Sequence, residues 1–170
     1  MQNLDQYYLY VGRIVNYKRV DLLVKTFNSL SKKLIIIGDG FQKPFLKLIA
    51  RKNITFLGYV NDEQLKKYYL KAKALVIPQE EDFGIIAAEA QALGVPVIAF
   101  SRGGALDTVI NGVTGIYFSE QNEQSLAQAI EKFEKISFNR KTLIANANRF
   151  SKEVFKKEFR IQFNKIVKHI

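Results

Sequence analysis

The sequence predicts a doubly wound α/β domain, a six-stranded parallel sheet with helices on both faces, and three observations carry that prediction. Runs of four to six almost wholly apolar residues alternate with segments whose apolar residues recur at helical spacing. Strands covered on both sides and joined by right-handed helical crossovers read this way. Glycine or proline closes most of these runs, at Gly12, Gly38, Gly58 and Pro78, where a strand gives way to a loop. At 170 residues and 48% apolar composition, the chain is long enough for one domain with a full core and too short for two ordinary ones.

The first strand is the aromatic and β-branched run Tyr7, Tyr8, Leu9, Tyr10 and Val11, ending at Gly12 and followed by a loop over residues 13–19. Leu22, Leu23, Thr26, Phe27 and Leu30 then recur as on one face of a helix. Residues 33–37 are a continuous apolar strand that closes at Gly38, Asp39 and Gly40, and a helix is expected over about residues 42–52, with Pro44 tolerable in its first turn. Ile54, Thr55, Phe56 and Leu57 make the third strand, after which Asn61 or Asp62 caps a helix running to about Ala72. Ala74 to Ile77 is the fourth strand. Residues 85–93 form a helix that is small or apolar all round, which describes a buried one. Val97 to Phe100 and Gly115 to Phe118 are the last two strands, with a short helix over residues 105–110 between them. Everything from Asn122 onward is helical, in three pieces.

Composition excludes several function classes. No apolar run approaches the eighteen or so residues of a membrane span, and the first five residues lack the basic and apolar regions of a signal peptide. Without cysteine there is neither a disulfide framework nor a thiolate metal site, the lone His169 stands at the C-terminal end, and Asp39 alone makes no metal cluster. A cytoplasmic protein is expected, with peripheral association at the inner face of the membrane as a further expectation. The net charge of +10 is uneven: residues 32–73 hold ten Lys or Arg against three acids, and residues 151–170 hold six against two. A basic face of this kind attracts phosphates, nucleic acid or anionic lipid, or is an ordinary solvated surface. No nucleic-acid recognition module is legible, and no nucleic-acid partner is expected.

In a doubly wound sheet, ligands lie beyond the carboxyl ends of the strands. That rule gathers Arg13, Lys18, Gly38 to Gly40, Gly58 to Val60, Glu81 to Ile85 and Arg102 to Gly104 at one edge. Neither Gly12 nor Gly38 opens the three-glycine fingerprint of a simple dinucleotide site. Two cations, Arg13 and Lys18, beside a helix N-terminus at Phe83, Gly84 and Ile85 would suit a diphosphate. Glu81 and Glu89 have seven residues between them. Glu89 lies inside the apolar helix without a local partner and roughly 7 Å of rise past Gly84. Its carboxylate is placed to accept two hydrogen bonds from the adjacent hydroxyls of a ribose, or to pair with a distant lysine or amide. Glu81 would face whatever lies beyond the diphosphate, or be a solvated acid in front of a helix. Both lie on one side of a helix start, which removes a glycosidase pair flanking a bond.

Together these residues resemble the C-terminal, donor-binding half of a retaining GT-B glycosyltransferase of family 4, the glycosyltransferase group 1 proteins. The motifs occur in order: Val11-Gly12-Arg13 with Lys18, Ile37-Gly38-Asp39-Gly40, Phe56-Leu57-Gly58-Tyr59-Val60, residues 81–90, Gly94-Val95-Pro96-Val97-Ile98-Ala99, Gly103-Gly104, and Asn111-Gly112-Val113-Thr114-Gly115. The runs starting at Pro78 and Arg102 are most similar to the mannosyltransferase branch labelled WbaZ-like.

The resemblance implies one Rossmann-like half of a GT-B fold and transfer of a hexose, mannose favoured, with retention to a glycan or lipid-linked acceptor. The donor would be a nucleoside-diphosphate sugar, GDP-mannose favoured over a UDP-sugar, with no cofactor and no metal. It further implies that Arg13 and Lys18 hold the leaving diphosphate, Glu89 the ribose, and Tyr59 with Val60 the base. Glu81, the amides of Phe83, Gly84 and Ile85, and those of Gly38 and Gly40 would hold the sugar and phosphate. Neither glutamate would be the base, which the missing N-terminal acceptor domain would supply. Residues 1–150 would be the donor domain. Residues 151–170 would be its C-terminal crossover helix, whose Phe155, Phe159 and Phe163 stripe also reads as core packing. Such a fragment alone would be inactive. Asp107 stands where the family commonly has Glu. The alternatives are a basic non-enzymatic module for nucleic acid or membrane surfaces, and a UDP-sugar epimerase-like domain of the same fold.

Overall fold

A computed structural model describes residues 6–167; His169 lies outside them. Six strands, β1 (Tyr7–Val11), β2 (Leu34–Ile37), β3 (Ile54–Gly58), β4 (Ala72–Ile77), β5 (Val97–Phe100) and β6 (Gly115–Phe118), form one sheet in the order β3-β2-β1-β4-β5-β6. Every pairing is parallel. The order reverses at β1, which lies between β2 and β4. The loops that leave the carboxyl ends of β1 and β4 therefore start side by side and run apart over opposite faces.

Alternation along each strand divides the core in two. Tyr8 and Tyr10 point to the face covered by α1 (Val20–Leu30), α2 (Lys43–Ile49) and α6 (Glu123–Glu134), where Leu23, Phe27, Leu46, Leu126 and Ile130 are all fully buried. Tyr7 and Leu9 point to the other face, packed by Tyr69 of α3 (Asp62–Lys71), Ala87 and Ala90 of α4 (Ile85–Ala92), and Ala105 of α5 (Ala105–Thr108). Two further helices, α7 (Arg140–Asn148) and α8 (Lys152–Val167), complete the chain.

Local chemistry sets the helix ends. Asn61 accepts from the Gln64 amide while the Gln64 side chain accepts from the Asn61 amide, a complete capping box for α3. Asn122 and Asn139 cap α6 and α7. Where the boundaries depart from expectation, tertiary contacts decide. The second helix stops at Ile49, short of residue 52, because Asn28 of α1 clamps it: its amide donates to the Ile49 carbonyl and its side-chain oxygen accepts from the Arg51 amide, both at 2.8 Å. The loop over residues 13–19 contains a single 3-10 turn at Asn16–Lys18 that periodicity does not signal. The short helix after β5 ends at Thr108, where Val109 turns extended.

The phenylalanine stripe of α8 is not core. Phe155, Phe159 and Phe163 are all exposed, stacked on one another with ring centroids 6.1 and 6.2 Å apart. Before α8, the Phe150 ring meets Phe83 edge-on at 5.9 Å, and Phe155 and Glu158 share an open concavity with Ala88, Glu89 and Ala92 of α4. Helical spacing identifies an apolar stripe; it does not say what the stripe meets.

Candidate functional site

Because β1 and β4 are neighbours, the segment after Gly12 meets the segment after Pro78. A groove of about 460 Å³ lies between them, lined by Val11, Gly12, Arg13, Tyr17 and Lys18 on one side and by residues 81–86 with Glu89 on the other. The far wall is held from behind. Glu81 pairs with Gly103 in an isolated bridge, and the Gly104 amide donates to the Glu81 carbonyl at 2.6 Å. A methyl group at Gly103, where φ is +58°, would lie 2.3 Å from that carbonyl oxygen, and one at Gly104 would lie 2.2 Å from the Phe83 carbonyl carbon. Two backbones pass at a distance only glycine permits. Gly84 then turns with φ +77° and starts α4. Among the described residues nothing accepts a hydrogen bond from the amides of Phe83, Gly84, Ile85 or Ile86. The residues that carry these free N–H groups, at the positive end of the helix dipole, line the groove.

The charged groups are arranged unequally. Lys18 Nζ lies 2.7 Å from the Glu81 carboxylate, and both side chains are largely shielded from solvent. The buried Gln79 donates a second hydrogen bond to the same carboxylate oxygen. Arg13 is exposed, donates to the Tyr17 hydroxyl, and stands 5.9 Å from the Tyr17 ring centroid, with Lys18 Nζ 5.3 Å from the same ring. Tyr17 thus holds two cations against their mutual repulsion. Beneath them Tyr10 donates to the Arg13 carbonyl at 2.9 Å; burial, then the nearby Glu81 charge and Tyr17, hold its phenol protonated far above the usual range.

Glu89 corrects the sequence reading. It lies on the exposed side of α4, whose buried residues are Ala87, Ala90 and Gln91. The helix looked buried because its outer residues, Ile85, Ala88 and Ala92, are also apolar or small. They line open concavities beside the site. Glu89 has no hydrogen bond or ion pair among the described residues. Desolvation against the groove wall raises its carboxyl above the ordinary glutamate range, and the Asp62 charge adds to the rise.

A second correction concerns Gly38 and Gly40. Their amides are already committed, Gly38 donating to the Gly58 carbonyl and Gly40 to the Asp39 carboxylate, both at 2.9 Å. The two glycines serve close approach instead. A methyl group would lie 1.9 Å from the Gly12 carbonyl oxygen at Gly38 and 2.3 Å from the Ile14 carbonyl oxygen at Gly40. Tyr59 and Val60 follow β3 at the same sheet edge, two strands from β1, outside the groove lining. Tyr59 is exposed and Val60 half-buried. The structure therefore brings together Arg13, Lys18, Glu81, Phe83, Gly84, Ile85 and Glu89 around the groove, and leaves Gly38, Gly40, Tyr59 and Val60 outside its lining.

Three supporting groups escape sequence reasoning. Tyr17 belongs to no motif, and Gln79 stands in the run from Pro78 without an expected role. The third is a buried amide cluster: Gln91 donates to the Ala87 and Thr108 carbonyls at 3.1 and 2.8 Å. Asn146 donates to Gln91 Oε1 at 2.7 Å and to the Thr108 carbonyl at 2.8 Å, and Arg149 donates to Asn146 Oδ1 at 2.9 Å. This cluster pins α4 to α5 and α7. Gln91 is the one amide in a helix that is apolar apart from Glu89, and that was the available signal. No group of three His, Asp or Glu side chains gathers among the described residues.

With this geometry in hand, comparison with known proteins is decisive. A family model for glycosyl transferases group 1 matches residues 2–150. The chain belongs to that family. It is 31% identical over 176 residues to the capsular polysaccharide biosynthesis glycosyltransferase CapM of Staphylococcus aureus, covering 94% of this chain and 46% of CapM. Sucrose-phosphate synthase from Thermosynechococcus elongatus superposes with a TM-score of 0.78 at 25% identity, over 98% of this chain and 47% of that one. HepE of Anabaena, solved in complex with UDP-glucose, superposes with a TM-score of 0.77 at 22% identity, over 95% of this chain and 49% of that one. This group 1 domain thus spans about half the length of the proteins it matches, and its six-stranded parallel sheet is that of GT-B glycosyltransferases.

Proposed function

We propose that this domain is the donor-binding half of a retaining hexosyltransferase and that its groove grips a nucleoside-diphosphate sugar. One observation carries the reading. An unpaired carboxylate, Glu89, stands one helical turn from the free N-terminus of α4, in the groove that Arg13 and Lys18 enter. A free helix N-terminus and two cations suit a diphosphate. The unpaired carboxylate suits vicinal hydroxyls, and the ribose next to the diphosphate supplies them.

In this reading Arg13 and Lys18 stabilise the charge that develops on the departing nucleoside diphosphate. Glu89 holds the ribose, and Tyr59 with Val60 meets the base two strands away. Glu81 and the amides of Phe83 to Ile85 position the sugar and distal phosphate. Lys18 is shared between Glu81 and the diphosphate, so Glu81 keeps it aimed when the groove is free. Mannose from GDP-mannose is favoured by the resemblance of the runs at Pro78 and Arg102, and a UDP-sugar by the likeness to HepE. The acceptor, a glycan or a lipid-linked saccharide, is assigned to a second, N-terminal domain of the whole protein.

Calorimetric titration with GDP and UDP tests the reading. Binding of one of them is expected, weakened roughly tenfold or more by Glu89→Ala, the scale of one or two hydrogen bonds to a charged group. Equal binding by the variant removes the ribose assignment.

A further inference from the structure

The surface of α2 inverts the usual helix pattern. In the short segment Phe41 to Lys52 only Leu46 is fully buried, at 0% exposure, while Phe41, Phe45 and Leu48 are 69%, 60% and 84% exposed. Phe45 and Leu48, three residues apart, lie on one side of α2, and Phe41 stands in the turn just before it. Scattered exposed apolar residues need no explanation; three large ones within eight residues, two of them on one side of a short helix, do. The patch continues toward the sheet edge, where Lys43 lies beside Gly58, the residue preceding the exposed Tyr59.

The charge around the patch has one sign. Residues 40–61 contain Lys43, Lys47, Arg51 and Lys52 and no acid. Asp39, just before this segment, is taken by Lys43 at 2.7 Å. Lys47 and Lys52 are exposed and make no ion pair among the described residues. Exposed aromatic and leucine side chains next to lysines outside any ion pair are the composition of an interfacial helix on anionic lipid, which offers both an apolar layer and a negative surface.

We propose that α2 and the turn before it dock this domain on an anionic membrane surface, with Phe41, Phe45 and Leu48 entering the headgroup boundary and Lys47, Arg51 and Lys52 meeting lipid phosphates. The helix starts at the carboxyl edge of the sheet, so docking there holds the donor groove close to the bilayer, where a lipid-linked acceptor would be presented. The inference stands apart from the sugar-nucleotide reading: vesicle binding and nucleotide binding are measured separately, and either can fail alone.

The test is co-sedimentation with vesicles of phosphatidylcholine alone and of an equal mixture with phosphatidylglycerol. Binding to the mixed vesicles is expected, weaker with added salt, and reduced roughly tenfold by Phe45→Ser with Leu48→Ser and comparably by Lys47→Glu with Lys52→Glu. Both pairs are exposed, so the thermal melts should match the parent. Phe155→Ser with Phe159→Ser on α8 should leave binding unchanged. The chain has no tryptophan, so Phe45→Trp gives a unique fluorophore whose emission should shift to the blue on mixed vesicles only. Equal binding to phosphatidylcholine, retention by the α2 serine pair, loss with the α8 pair, or no spectral shift would each overturn the proposal.

Discussion

Glu134 and Glu89 sit at opposite ends of the sheet, Glu134 half-buried and Glu89 on the exposed side of its helix, and their surroundings differ in kind. Glu134, at the end of α6, faces the amino ends of the strands. It accepts hydrogen bonds from Lys73, from Lys32 at 3.2 Å and from the Tyr8 hydroxyl. Burial pushes its carboxyl up, but the bonds from Lys73, Tyr8 and Lys32 together outweigh this and hold it at about 2. Glu89, at the carboxyl ends, has no such donors and is raised. A charge that the protein answers for itself ties three segments of the chain together. A charge that it leaves unanswered is available to a ligand, and its cost in the free domain is recovered on binding.

The largest effect expected is at the answered end. Glu134→Gln should cost about 2–3 kcal/mol of stability in urea, since it removes the charge that answers two lysines and can turn an amide donor toward Lys73, while nucleotide affinity stays unchanged. The pH dependence follows from the folded carboxyl lying below its ordinary value of about 4.3. The Glu134 contribution is complete above that value and is lost as pH falls toward about 2. The parent should therefore show an acid limb in that window, and Glu134→Gln should lack it.

Next is Asn146→Leu, which leaves Gln91 Oε1 without its donor and should cost about 1–3 kcal/mol. Because the cluster pins α4, this variant should also weaken nucleotide binding, which Glu134→Gln should not. If both variants behaved alike, the two ends of the sheet would not be separable.

At the unanswered end, Glu89→Gln should weaken nucleoside diphosphate binding roughly tenfold, about 1.4 kcal/mol, with its stability within about 0.5 kcal/mol of the parent. The same group predicts opposite pH trends. Its raised carboxyl makes the free domain slightly less stable as pH rises through that titration, because the unfolded chain ionises more easily. Ribose hydroxyls donate to the ionised form, so parental affinity should fall as pH drops through the same titration, and the Gln variant should lose that dependence. The smallest effect concerns Lys18: Glu81→Gln frees it from the ion pair and should alter nucleoside diphosphate affinity by less than about threefold, within the range of a shielded surface pair.

Much of the fold was legible because the deciding signals are local. Strands β5 and β6 are bounded where the sequence places them, since Gly94 with Pro96, Gly103 with Gly104, and Gly112 punctuate both. Of the two candidate caps of α3, Asn61 or Asp62, Asn61 is the one used, and a cap was legible because it needs only its own first turn. The end of α2 was not legible, because Asn28, in a different helix, sets it. The stripe of α8 had the right period and the wrong environment.

By itself the sequence determined the doubly wound architecture, the family, and the identity of the groups at the sheet edge, because period, punctuation and motif order are properties of the chain taken locally. Tertiary structure alone decided which of those groups meet. It turned Glu89 outward into a groove, gave Lys18 to Glu81, and spent the amides of Gly38 and Gly40 on neighbouring carbonyl and carboxylate oxygens. The reason is that most of these partners come from segments apart in the chain: β1 beside β4 joins Lys18 to Glu81, and β2 beside β3 joins Gly38 to Gly58.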